Sequence, residues 1–99
     1  MKLQRDAEID KLADRIASAA DARERNAARC IGANIRAVRH RLGYTQMELA
    51  KIIGLEQNSI SCMERGNYLP SIGVLLKIAD VADVPLNCLM EIGGECYFV

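Results

Sequence analysis

The hydrophobic positions between residues 45 and 54 follow the spacing of a short amphipathic helix. The residues that fall on its one apolar face are Leu49, Ala50 and Ile53. Thr45 can cap this helix with its hydroxyl, and the carboxylate of Glu48 can reach back to the amide of Thr45. The pattern predicts a helix from residue 46 to about residue 53, ended by Gly54 in a left-handed conformation.

A second helical pattern follows after a tight turn and ends at Gly66. Ile60 and Met63 lie one helical turn apart, which leaves a polar and nearly uncharged outward face of Gln57, Asn58, Ser61 and Cys62. Short amide side chains can form paired hydrogen bonds with adenine in the DNA major groove. Periodicity alone therefore permits two interpretations, a DNA-reading element or a helical hairpin whose polar face meets only water.

The first 29 residues contain no Pro or Gly and are rich in Ala and Arg, a composition that favours a helix. Their apolar residues follow the 3,4,3 spacing of a coiled-coil seam, formed by Ile9, Leu12, Ile16 and Ala19. Because so short a seam is not stable alone, we expect it to pack on its own domain or on a partner chain. The alternative is a solvated, partly disordered arm. Asn26 either caps the next helix or lies within one that runs on through Cys30.

Three further helices are predicted, one between the arm and the hairpin and two after the hairpin. Residues 32–42 and 71–82 have core-facing stripes, and a short helix begins at Pro85 with Leu86 and Leu89 inward. The terminal residues 95–99 are apolar and β-prone. They either pair with the same tail of another chain, fold back over the core or form a disordered end.

The composition indicates one small globular domain with appendages, since 51% of the 99 residues are hydrophobic. A net charge of zero argues at first against a nucleic-acid partner. The charge is unevenly distributed, however: residues 31–66 carry five basic and three acidic residues, a net +2, and residues 67–99 carry one and four, a net −3. We expect modest affinity per monomer, marked salt dependence and a need for dimerisation.

Candidate catalytic and metal chemistry is nearly absent from the sequence. The cysteines at positions 30, 62, 88 and 96 form no C-x-x-C pair, and His40 is the single histidine, so neither a zinc site nor a disulfide framework is expected. No catalytic triad spacing or phosphate-binding glycine loop is present, so we expect no enzyme activity and no cofactor. Without a signal peptide or a run of about 20 apolar residues, we expect a cytoplasmic protein with no membrane contact.

The segment from Ile31 to Met90 resembles the phage repressor and Cro family, also called XRE-type regulators. The matching residues are Thr45, Gln46, Glu48, Leu49, Ala50, Gly54, Ser59, Ile60, Ser61, Glu64, Gly66 and Pro70. In that family the second motif helix is the recognition helix, and an Arg of the preceding helix pairs with the Glu that ends it. Those residues are Arg39 and Glu64 here.

The resemblance also implies a set of DNA contacts. Gln46 would touch a phosphate and brace the recognition helix, and the predicted contact residues in and after that helix are Gln57, Asn58, Ser59, Ser61, Cys62, Arg65 and Asn67. Base contacts fall to Gln57, Asn58 and the position of Cys62, and backbone contacts to the neighbourhood of Arg65 and Asn67. The chain departs from the family at Cys62, where a longer polar side chain is common, and at Glu56, where Ser or Thr usually caps the recognition helix.

The sequence thus predicts an all-α, lambda-repressor-like five-helix domain at residues 30–92, with an additional N-terminal helical arm at 1–29 and an apolar tail at 93–99. The predicted function is sequence-specific transcriptional regulation, as a prophage-type repressor that binds a palindromic double-stranded DNA operator as a homodimer. Dimerisation would use either the arm (Ile9, Leu12 and Ile16) or the C-terminal region (Leu86, Leu89 and the tail with Phe98). The alternatives are an antitoxin that binds its operator and a toxin, and a protein-interaction module without strong DNA binding.

Overall fold

The computed structural model describes residues 2–92, which form helices joined by short turns. The helices are α1 (Lys2–Leu42), α2 (Gln46–Ile53), α3 (Gln57–Glu64), α4 (Ile72–Ala82) and α5 (Leu86–Leu89). The predicted all-α class is confirmed. The predictions for the tail at 95–99, including Phe98, fall outside the described residues. No helix in the described part of the chain combines the length and apolar character needed to span a bilayer.

The N-terminal arm and the first domain helix form one continuous helix of 41 residues. At 1.5 Å per residue such a helix is about 61 Å long, which matches the 60 Å longest dimension of the molecule. Asn26 lies inside α1, where its side-chain oxygen accepts a hydrogen bond from Arg29 Nη2 at 3.2 Å. The helix therefore runs on through Cys30, the second of the two alternatives that the sequence allowed.

The two halves of α1 have different environments. Residues 5–25 are exposed throughout, so this part does not fold back on the domain. From Ala28 onwards one face of the helix is buried and contributes Ile31, Ile35 and Val38 to the core. The arm is thus held out from the domain by helix continuity, with its apolar stripe in solvent.

The local signals around α2 are confirmed by its hydrogen bonds. Thr45 Oγ1 accepts from the Glu48 amide at 3.1 Å, and the Thr45 amide donates to Glu48 Oε1 at 2.9 Å, which completes a capping box. Gly54 ends the helix with φ 77°. At α5, Pro85 is the N-cap and Leu86 is the first helical residue, one position later than expected.

All five helices contribute to the core, and the core contains the buried side-chain amide of Asn34. Its fully buried larger side chains include Ile35, Leu49, Ile60, Met63, Leu75, Ile78 and Leu89. Asn34 is also fully buried, and its Nδ2 donates to the carbonyls of Leu89 (2.9 Å) and Glu91 (3.1 Å). These bonds connect α1 to the end of α5. They also supply a partner for the Leu89 carbonyl, since the last carbonyls of a helix have none within the helix.

Gly32 sets the distance between α1 and α3. A Cβ atom at this position would collide with the carbonyl oxygen of Met63 and lie 3.1 Å from that of Glu64. Only glycine allows the backbone of α1 to approach the last turn of α3 so closely. The contact positions the end of α3 against the first helix of the domain.

Candidate nucleic-acid interface

The helix α3 presents a polar face to solvent while its other face is anchored in the core. Ile60 and Met63 are buried. At 100° per residue, Asn58, Ser61, Cys62 and Arg65 lie on the opposite side, with Gln57 at its edge. Asn58, Gln57 and Arg65 are exposed, and Ser61 and Cys62 are half-buried. The side chains of this polar face are not part of the buried core, so they are accessible to a ligand.

Ser59 occupies a different part of α3 from these residues. Its side chain is half-buried, and its carbonyl accepts a hydrogen bond from the Tyr68 hydroxyl at 3.4 Å. By the same helical geometry Ser59 lies about 100° round from Asn58, towards the core. Ser59 therefore lies off the outward face of α3, and its carbonyl connects the helix to the turn that follows.

The end of α3 is held by an ion pair with α1. Arg39 Nε donates to Glu64 Oε2 at 2.6 Å and Arg39 Nη2 to Glu64 Oε1 at 2.9 Å, a bidentate arrangement. The two side chains are only 10% and 3% exposed. Arg39 Nη1 also donates to the Tyr44 carbonyl at 2.9 Å, so one guanidinium joins α1, the α1–α2 turn and α3.

This ion pair raises the pKa of Arg39 above its ordinary value. The hydrogen bond to Glu64 is the main cause and the charge of Glu64 adds to it, while burial acts in the opposite direction. A raised folded-state pKa stabilises the protein at every pH below the unfolded-state value. The guanidinium of Arg39 therefore stays charged across the whole neutral range.

Gln46, at the first position of α2, joins the same cluster. Its Nε2 donates to Glu64 Oε1 at 3.2 Å, so the side chain contacts the last residue of α3. Gln46 is half-buried, which leaves part of its amide accessible. This arrangement fixes the start of α2 relative to α3, the bracing contact that the resemblance implies.

The structure shows the local bonding at the two departures, Glu56 and Cys62. Glu56 is the N-cap of α3, but its carboxylate makes no capping hydrogen bond. Cys62 Sγ accepts a 3.5 Å hydrogen bond from Arg65 Nη2, and the Asn67 amide donates to the Cys62 carbonyl at 3.1 Å. Arg65 and Asn67 are thereby held beside the outward face of α3, and both side chains are exposed.

The proposed dimer contacts on the arm are solvent-exposed in the single chain. Ile9, Leu12 and Ile16 are 54%, 45% and 57% exposed. In the C-terminal region, Leu89 is buried and Leu86 is half-buried in the core of the same chain. The arm thus offers more unpartnered apolar surface than α5 does.

Sequence reasoning missed two features, one in the core and one beside the interface. Asn34 was not singled out, because nothing local in the sequence indicates that its partners lie more than fifty residues away. Arg25 and Arg29 lie beside Arg65 around one concavity. Their spacing of four residues was a usable signal that they share a helix face.

Comparisons with known proteins match the same segment of the chain. A family model described as Helix-turn-helix matches residues 35–87. An uncharacterized HTH-type transcriptional regulator of Archaeoglobus fulgidus is 45% identical over 61 residues, covering 62% of this chain and 87% of that protein. The ImmF control region 10 kDa protein of Bacillus phage phi105 is 37% identical over 59 residues, 60% of this chain and 66% of that protein.

A solved structure shows a similar fold. The crystal structure of the clp gene regulator ClgR from Corynebacterium glutamicum superposes with a TM-score of 0.60 at 24% sequence identity. The similar part covers 63% of this chain and 66% of that one. This likeness concerns the arrangement of the helices.

Proposed function

The chain belongs to the helix-turn-helix family of DNA-binding transcriptional regulators, and we propose that it represses transcription by binding a palindromic operator as a homodimer. In this proposal α2 and α3 are the two motif helices. The polar face of α3 enters the major groove, where Gln57 and Asn58 contact base edges. Gln46, Arg65 and Asn67 contact the sugar–phosphate backbone.

The observation that carries this proposal is the set of contacts that hold α3 in place. Its outward amide and hydroxyl groups are free of the core, while its end is fastened by the buried Arg39–Glu64 pair. A binding surface needs its side chains held in a fixed geometry by supporting contacts. A hairpin that only met water would not require so buried and bidentate a support, which favours DNA reading over a solvated surface.

Homodimerisation is proposed because one short recognition helix contacts only a few base pairs. Two copies related by a two-fold axis can read half-sites about 34 Å apart on the same face of DNA. The exposed stripe of Ile9, Leu12 and Ile16 supports an arm-mediated contact, since isolated apolar stripes at heptad spacing are buried by a second helix. The dimer would also double the modest positive charge that residues 31–66 of each chain bring to the DNA.

Repression is proposed because a bound dimer can exclude RNA polymerase from a promoter by occupancy alone. The similarity to a control-region protein of phage phi105 supports this class of regulator. A mobility-shift assay on the DNA upstream of the protein's own gene tests the proposal, with an unlabelled scrambled duplex as competitor. Retention of the shift in excess scrambled DNA is expected. Equal competition by scrambled and upstream DNA would contradict sequence-specific binding, and absence of any shift would favour a protein-interaction module.

A further inference from the structure

Three arginines line one open concavity where α1 passes the end of α3. The cavity has a volume of about 420 Å³ and is lined by Arg25, Arg29 and Arg65 together with Ala22, Asn26 and Gly66. No carboxylate lines it. Asp21 and Glu24 instead line the neighbouring concavity, which Arg25 also borders, beside the turn after α3. The lining of the concavity thus carries three positive charges and no negative one, in a protein whose net charge is zero.

The concavity follows from helix geometry and from one glycine. Arg25 and Arg29 are four residues apart and so share a face of α1. Gly66, with φ 75°, lets the chain after α3 come close to that face, because a Cβ there would lie 3.0 Å from the Cα of Arg29. Arg65 is thereby brought next to two arginines that are more than 35 residues away in sequence.

The guanidinium groups are not neutralised within the described part of the chain. Arg29 donates to Asn26 Oδ1, and Arg65 donates to the Ser61 carbonyl at 3.3 Å and to Cys62 Sγ at 3.5 Å, but none of the three forms an ion pair there. All three side chains are exposed. Guanidinium groups bind phosphate oxygens through two parallel hydrogen bonds. The cluster therefore has the chemistry of a phosphate site.

The location of the cluster connects it to α3. Arg65 lies one turn after Ser61 and Cys62 on the outward face, so the concavity continues that face onto α1. The same row of α1 extends away from the domain with 4,3,4,3,4 spacing and contains Lys11, Arg15, Ser18, Ala22, Arg25 and Arg29. This row is basic or neutral at every position.

We propose that Arg25 and Arg29, together with Arg65, bind the phosphate backbone of the DNA beside the half-site that α3 reads. The inference rests on the proposed function and adds to it a role for the helical arm in DNA affinity. The contact would supply binding strength without sequence information, as phosphate contacts do. It also explains how a protein of zero net charge holds a polyanion, since the charge is concentrated where the DNA lies.

The test compares two double variants that lose the same charge. Arg25→Gln/Arg29→Gln removes the proposed contact, and Lys51→Gln/Lys77→Gln is the matched control. Lys51, on α2, and Lys77, on α4, are exposed and lie neither in the arginine cluster nor on the apolar stripe of the arm. Binding is measured between 50 and 200 mM salt on a duplex selected from a random pool by the wild-type protein and on a scrambled duplex. Circular dichroism verifies equal helix content.

The expected result is a weaker salt dependence for Arg25→Gln/Arg29→Gln on both duplexes. Loss of two phosphate contacts lowers the slope of log K against log salt by about 1.8, so raising the salt from 50 to 200 mM costs this variant about 12-fold less affinity than the wild type. The control should keep the wild-type slope. The preference for the selected duplex should be the same in all three proteins.

Two results would overturn the inference and leave the proposed function intact. Equal slopes for the wild type and Arg25→Gln/Arg29→Gln would show that the cluster does not touch DNA, and would favour an acidic protein surface as its ligand. A changed preference for the selected over the scrambled duplex in Arg25→Gln/Arg29→Gln would assign the arginines to base contacts. If the wild type bound selected and scrambled duplexes equally, the proposed function itself would fail, and the inference with it.

Discussion

The side chain of Glu64 connects three helices at the interface. It accepts hydrogen bonds from Arg39 on α1 and from Gln46 on α2 while it ends α3. Three helices are thus fixed by one carboxylate that is almost fully buried. A buried charge of this kind is stable only while its partners are present.

Replacing Glu64 by Ala is expected to lower the free energy of unfolding by about 3 kcal/mol, because the guanidinium of Arg39 would remain buried without a counter-charge. Urea denaturation of wild type and variant measures the difference. Glu24→Ala is the control, since Glu24 is exposed and forms no ion pair with the described residues. Equal stability of Glu64→Ala and wild type would mean that the pair is not a stabilising contact in solution.

The capping box gives a pH-dependent contribution. The pKa of Glu48 lies below its ordinary value. The main cause is the hydrogen bond from the Thr45 amide to the Glu48 carboxylate, and a hydrogen bond with the Thr45 side chain lowers the pKa further. A lowered folded-state pKa stabilises the protein above the unfolded-state pKa, and this contribution is lost as pH falls through the folded-state value. Thermal melts of wild type and Glu48→Gln should differ constantly near neutral pH and converge below pH about 4. A difference that did not change with acidification would contradict the box.

At the residue scale, the sequence predicted contacts that are local or that a known motif implies. Thr45 and Glu48 are three residues apart, so their bond follows from helix geometry. The pairing of Arg39 with Glu64 spans 25 residues and came from the resemblance. The bond from Asn34 to the end of α5 had neither source, because an isolated Asn has many possible partners and the fold decides among them.

Among the elements, α3 starts without a side-chain capping bond, as α5 does. The other short helices with a hydroxyl cap show what is missing: Ser71 Oγ accepts from the Val74 amide at 3.2 Å at the start of α4, while Glu56 caps nothing. The N-terminal amides of α3 thus lack a side-chain partner. This start is placed where DNA phosphates would approach in the proposed complex.

Glu56→Ser is expected to raise the free energy of unfolding by about 1 kcal/mol by supplying the cap, and to tighten DNA binding by removing a negative charge. Glu56→Gln separates the two effects, because it removes the charge without introducing a good cap. Urea denaturation and duplex titration measure them. Identical stability of the Ser and Gln variants would show that capping does not limit α3.

The continuity of α1 shows where element boundaries escape sequence reasoning. Asn26 fits either a cap or a helix interior by itself. The outcome depends on Ala28 and Ile31, which must face the core while the chain upstream has no Gly or Pro to break the helix. A boundary that depends on tertiary packing cannot be read from local propensity.

For the whole molecule, the proposed homodimer has two candidate contact surfaces. The arm extends from the domain with its apolar stripe exposed, and the rival is the C-terminal region. We expect Ile9→Asp/Ile16→Asp to be monomeric in sedimentation equilibrium while the wild type and Ile72→Asp, a change at an exposed apolar residue of α4, are dimeric. If the arm variant remained dimeric and a chain ending at Gly93 were monomeric, the dimer contact would be C-terminal.

Reading of DNA sequence by the outward face of α3 is tested most directly with the variants Gln57→Ala and Asn58→Ala. Their binding is measured on a panel of single-base-pair variants of the selected duplex. Each variant should lose about 1 to 3 kcal/mol of discrimination at one base pair, because a paired hydrogen bond to a base edge is removed, with little change on scrambled DNA. Asn87→Ala, on α5, should discriminate as the wild type does. Wild-type preference across the whole panel in both α3 variants would contradict the account.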